Sequence, residues 1–249
     1  CVSGGADLVD VGGQTAPPAV PEIGVGEELE RVIPVIEALA EALPHVPLSV
    51  DSYRVEVAEA ALRAGASVLN NIIGAQHVAF ATLAVRYGAA HVITHNPGAP
   101  KTKLLENERY DDVVTDVGDY FRLQLAELSQ VAGAVDATIV DPGVDLAKTP
   151  AQSLELLRRA EEFDELGVPV LMAISRKDVI GVMTQSPPDE RLAGTLAALG
   201  HLRRGGRRIF RLHDVAEARR YLMVTRHLDG FESLAPDARL AAELRRRRA

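Results

Sequence analysis

The feature that most constrains this chain is an alternation. Short apolar, β-branched runs take turns with longer stretches of helical spacing, and nearly every apolar run ends on a polar or ionisable residue. The runs lie at 6–11, 47–50, 67–69, 91–94, 137–140, 169–174 and 208–212, and they read as buried strands. The intervening stretches at 27–42, 55–64, 78–87, 111–131, 151–166, 190–204 and 215–228 read as uninterrupted helices; in the first, Leu29, Val32, Ile33 and Ile36 share one face. Strand–helix alternation predicts a parallel sheet. Near-continuous apolar strands predict that both faces of that sheet are covered.

The fold class is therefore α/β. A length of 249 residues suits one (β/α) barrel or a large doubly wound sheet. Seven strand–helix units are legible, whereas a closed barrel of this class has eight. The expectation is a (β/α)8 TIM barrel whose first strand is missing from this sequence, the other reading being an open sheet. No linker or composition break divides the chain, so residues 1–249 are read as a single domain.

Composition narrows the functional classes. The formal net charge of -8 argues against a sequence-independent nucleic-acid binder. The run Arg245–Arg248 reads as a solvated helix end opposing the helix dipole. No apolar stretch is long enough for a membrane span, and the opening Cys1-Val2-Ser3-Gly4-Gly5 does not read as a signal peptide, so none is expected. The lone cysteine excludes an internal disulfide framework and a multi-cysteine metal site. The expectation is a cytoplasmic protein.

The polar strand ends carry the chemistry. They are Asp10 before Gly12-Gly13, Asp51, Asn70-Asn71, His95, Asp141 before Pro142-Gly143, Ser175-Arg176-Lys177, and Arg211 with His213-Asp214. In a parallel barrel all of these lie on the carboxyl face, where active sites form. A single strand-end Asp is commonly a helix cap, but caps need not recur on every strand. Two carboxylates, an amide and a lysine can read a flat heterocycle with mixed donors and acceptors. Arg211 and His213, two apart on a strand, point to one side and with Lys177 suit a phosphate or pyrophosphate. Gly12-Gly13 alone is a weak signal and no dinucleotide fingerprint follows any strand. Asp10 is read as organising its loop, and His95 as either a substrate contact or a turn-fixing hydrogen bond.

These residues resemble the dihydropteroate synthase family. The resemblance rests on Gly5-Ala6-Asp7-Leu8-Val9-Asp10-Val11-Gly12-Gly13, Val50-Asp51-Ser52-Tyr53, Asp141-Pro142-Gly143 with Lys148-Thr149, Ser175-Arg176-Lys177 and Arg211-Leu212-His213-Asp214-Val215. It runs in order to about residue 228. It implies condensation of a hydroxymethyl-dihydropterin pyrophosphate with para-aminobenzoate in folate biosynthesis. Asp51, Asn70, Asp141 and Lys177 would bind the pterin, with Asp51 and Lys177 as catalytic residues, and Arg211 and His213 would hold the pyrophosphate. It also implies Mg2+, although the strand bearing the family's usual magnesium-binding asparagine has no counterpart here, so no metal ligand is assigned. A homodimer through helices 192–202 and 215–228 is a further implication.

The sequence departs from the family pattern in places. The loop usually written Glu-Ser-Thr-Arg-Pro-Gly is Gln14-Thr15-Ala16-Pro17-Pro18-Ala19, which puts Ala16 at the aminobenzoate threonine and Pro17 at the pyrophosphate arginine. Asn71 replaces an Asp, and Val144-Asp145-Leu146-Ala147 replaces a Gly-rich turn. Asp178 follows Lys177, where a carboxylate is expected to repel that of aminobenzoate. Met172-Ala173-Ile174 through Asp178-Val179-Ile180-Gly181 is similar to divergent second paralogues of the family. Besides a synthase, the readings open are a pterin-binding paralogue without the transfer reaction, a methyltransferase with a folate-binding barrel, and a partner subunit.

Overall fold

The structure is a computed structural model and describes residues 1–14, 20–73, 76–98, 110–241 and 244. Seven parallel strands form one sheet in sequence order: β1 (Val9–Gly12), β2 (Leu48–Asp51), β3 (Val68–Asn71), β4 (Ala90–Thr94), β5 (Thr138–Asp141), β6 (Val170–Ala173) and β7 (Arg208–Arg211). The connecting helices are α1 (Val25–Ala42), α2 (Val55–Ala64), α3 (His77–Tyr87), α4 (Val113–Leu128), α5 (Pro150–Arg158), α6 (Asp178–Thr184), α7 (Leu192–Leu202) and α8 (Val215–Leu228). This is a TIM-barrel-like α/β fold with the seven strands the sequence predicts. β1 and β7 are the sheet edges, yet the Arg211 guanidinium at the end of β7 lies 2.7 Å from Asp10 of β1. The sheet is therefore curled until its two edges approach.

The strand period of two sorts the side chains. Val9, Val11, Leu48, Val50 and Leu69 point outward and pack with α1, α2 and α3. Ile93, Val140, Val170, Met172 and Phe210 do the same under the later helices. The inward set, Val68, Ala90, Val92, Ile139, Leu171, Ala173 and Ile209, makes a separate apolar cluster inside the barrel. Two residues further along the same face come Asn70 after Val68, Asp141 after Ile139 and Arg211 after Ile209. The apolar cluster is thus the floor of a polar mouth.

Several helices differ from the sequence reading. Pro34 lies inside α1 and removes the bond its nitrogen would donate to Glu30. Both residues are on the solvent side, where water can satisfy that carbonyl, while Glu28, Val32 and Ile36 face inward at helical spacing. The stretch 151–166 is not one helix: α5 ends at Arg158, and a 3-10 segment, Ala160–Leu166, turns Ala160 and Phe163 into the core. α6 is an additional short helix. α1 docks closely on the end of β1 because Gly13 lacks a Cβ, which would stand 2.8 Å from Val32 Cγ2.

Candidate functional site

Three neighbouring strands bring acids and an amide to one place. Asp10 Oδ2 accepts from Arg211 Nε at 2.7 Å and from Asn70 Nδ2 at 3.2 Å. Arg211 Nη2 reaches on to Asp51 Oδ2 at 3.1 Å. One guanidinium therefore bridges two carboxylates that would otherwise repel. Burial, then the nearby Asp10 charge, pushes the Asp51 carboxyl up to about 7, against the opposing pull of Arg211. Burial likewise raises Asp141, against the Gly143 amide and the Lys177 and Lys148 charges.

The facing strands supply the cations. Asp141 Oδ1 accepts from the Gly143 amide at 2.8 Å. Gly143 adopts a left-handed φ of +71°, and a Cβ there would lie 2.1 Å from the His95 carbonyl oxygen. The following turn seats two lysines. Lys177 Nζ donates to Val144 O at 2.9 Å. Lys148 Nζ donates to His95 O, Gly143 O and Leu146 O at 3.0, 3.1 and 3.0 Å. Burial lowers the Lys177 ammonium from its ordinary value, while the Asp141 carboxylate opposes that shift. Lys177 thus stands beside Asp141 at the mouth, whereas Lys148 is a buried tie.

At the rim, the turns after β6 and β7 are bound together. Ser175 Oγ accepts from the His213 amide at 3.1 Å and sits 2.9 Å from His213 Nδ1. Arg176 makes a two-pronged pair with Asp214, at 3.0 and 2.6 Å. Asp178, expected to repel an incoming carboxylate, is 80% exposed and paired with Arg191 Nη1 at 2.9 Å. Of the two roles open to His95, the turn is tied through its carbonyl, which accepts from Lys148 Nζ. The His95 ring stacks edge-on to Tyr120 at 4.9 Å, and burial lowers its pKa to about 3.

Asp51, Asn70, Asp141, Lys177 and Arg211 therefore lie together at the carboxyl ends of their strands, with His213 in the turn after β7. The same chain order is found in known proteins. A family model described as a pterin binding enzyme matches residues 1–213. The dihydropteroate synthase of Escherichia coli (strain K12) is 37% identical over 216 residues, covering 87% of this chain and 76% of that protein. The chain belongs to the dihydropteroate synthase family. The solved dihydropteroate synthase of Thermus thermophilus in complex with 4-aminobenzoate superposes with a TM-score of 0.83 at 36% identity, covering 91% of this chain and 86% of that one. A protein called inactive dihydropteroate synthase 2, from Mycobacterium bovis, is 38% identical over 234 residues, covering 92% of this chain and 73% of that one.

In this dihydropteroate synthase family member Asp10, expected to organise its loop, instead bonds to side chains of two other strands. It is the hub joining Asn70 to Arg211, and its alternation with the outward Val9 and Val11 was the signal available. Ser175 as the partner of His213, and Lys148 as a tie, needed the fold. Thr15 to Ala19, where the loop departs from the family, and the run Arg245–Arg248 lie outside the described residues. Among the described residues no group of three His, Cys, Asp or Glu side chains is placed to hold a metal ion. The Asp10 and Asp51 carboxylates are already faced by Arg211, so this donor set does not fit the Mg2+ that the resemblance implies. No helix of the described residues is long and apolar enough to cross a membrane.

Proposed function

We propose that this chain binds a hydroxymethyl-dihydropterin pyrophosphate in the barrel mouth and condenses it with para-aminobenzoate. The observation that carries the reading is the bridge from Arg211 to both Asp10 and Asp51, with Asn70 on the same carboxylate and Asp141 beside Lys177. Asp51, Asn70, Asp141 and Lys177 offer acceptors and donors to the edge of a flat pteridine. Arg211 and His213 face the pyrophosphate. The C–O bond at the pterin methylene breaks, pyrophosphate leaves with the bonding electrons, and the aromatic amine forms the new C–N bond and loses a proton. Buried carboxylate charge near the ring stabilises the electron-poor methylene, and Arg211 stabilises the departing anion.

Supporting the second substrate, the Thermus thermophilus relative was solved with 4-aminobenzoate. A second reading, pterin binding without transfer, is favoured by Ala16 and Pro17 in the loop and by the likeness to the protein named inactive. The reading includes a homodimer through α7 and α8, consistent with the exposed Met223, Val224 and Leu228 of α8, and a cytoplasmic location. Two measurements decide: calorimetry with the pterin pyrophosphate, and pyrophosphate release with and without para-aminobenzoate. Binding with amine-dependent release supports the synthase. Binding without release selects the second reading, and no binding removes both.

A further inference from the structure

The connection from β1 to α1 is tied to the turn that carries Asp51 by a chain of hydrogen bonds with a fixed direction. Gln14 Oε1 accepts from the Ile23 amide at 2.9 Å, and Gln14 Nε2 donates to the Tyr53 hydroxyl at 2.9 Å. Tyr53 in turn donates to Glu22. The Arg54 guanidinium donates to Glu22 at 2.7 Å, to Ile23 O at 2.6 Å and to Glu28 at 2.6 Å. Glu28 is only 1% exposed, and its side chain runs beneath Gly13, at 3.0 Å from where a Cβ there would be. Ser52 Oγ closes the turn by accepting from the Arg54 amide at 3.2 Å.

The direction of this chain follows from hydrogen count. A tyrosine hydroxyl has one proton to give. Glu22 takes it, so the hydroxyl's other neighbour must be a donor. Gln14 is a donor, and Glu at 14, the residue usual in the family, is not. With Glu at 14 and at 22, two carboxylates would compete for one proton. Gln14 is thus matched to Tyr53 and Glu22.

We propose that Gln14, Glu22, Tyr53 and Arg54 form a directional clasp that fixes the β1–α1 connection to the Asp51 turn and so positions Asp51 for ligand. These are positioning residues acting through Asp51. The ligand part rests on the pterin reading above; the clasp itself does not.

The test is a reversal of direction. Gln14→Glu is expected to lower the melting temperature and to weaken binding of the pterin pyrophosphate about tenfold, the usual scale for a lost hydrogen bond to a charged group. Adding Glu22→Gln restores a donor on the other side of Tyr53, so the double variant is expected to recover most of both losses. In a Tyr53→Phe background the coupling between positions 14 and 22 should vanish. Additive single effects, or coupling that survives in Tyr53→Phe, would overturn the clasp. Recovery of the melting temperature while affinity stays at the wild-type level in all variants would overturn the positioning of Asp51. If the wild-type protein binds no pterin, the functional reading fails, and the melting-temperature cycle still decides the clasp.

Discussion

The two halves of the mouth handle charge differently. On the β1–β3 side, Asp10, Asp51 and Asn70 bond to one another's partners through side chains, and Arg211 balances two carboxylates. After β5 and β6, by contrast, the two lysines are held by backbone: Lys148 by three carbonyls and Lys177 by one. Side-chain pairs can exchange partners when a ligand arrives, because each bond lost is replaced in kind. A lysine anchored on three carbonyls cannot leave without taking their donor away, and of the three Gly143 O keeps the Leu146 amide. The difference separates a recognising surface from a scaffold, and it divides two lysines that look equivalent in sequence.

Breaking that division gives the largest expected effect. Lys148→Met should cost about 3 kcal/mol, since the His95 and Leu146 carbonyls lose this donor and Gly143 O keeps only the Leu146 amide. Lys177→Met should cost less, about 1 kcal/mol, because only the Val144 carbonyl loses a donor and burial already disfavours the ammonium charge. Paired denaturant titrations check this, and equal losses would erase the distinction. Next in size, Asp51→Asn should weaken pterin binding about 30-fold by calorimetry while leaving the protein folded. A smaller effect sharpens the acidic side. With Asp51 titrating at about 7, wild-type affinity should fall about tenfold from pH 8 to pH 6, and Asp51→Asn should be flat over that range. The sign for folding is opposite. A carboxyl raised from 3.8 to about 7 contributes fully below pH 3.8 and loses that contribution as pH rises through 7. Asp51→Asn should therefore gain stability over wild type at pH 8 and not at pH 3; equal gains at both would assign the effect to packing.

Much of this site was legible because strand alternation is a local rule. Val68 and Asn70, Ile139 and Asp141, and Ile209 and Arg211 are each two apart, so an inward floor residue dictates an inward functional residue. The same rule turns His95 away from the mouth, once Thr94 is known to end β4. Helix limits are less legible in the sequence. Exposed Pro34 is tolerated where the Glu30 carbonyl it leaves unmet is on the solvent side, and the stretch after Arg158 tightens to bury Phe163. Both outcomes depend on which side faces the core.

The order of strands, the inward polar set and the likeness to a pterin-binding family were thus written in the sequence, because they depend on periodicity and on residues a few positions apart. Tertiary structure alone decided the pairings: Arg211 with an acid 201 positions away, Asp178 with Arg191, Ser175 with His213, and Gln14 with Tyr53. Residue type states what a side chain can bond. Only the curl of the sheet and the course of its turns bring the partner within reach.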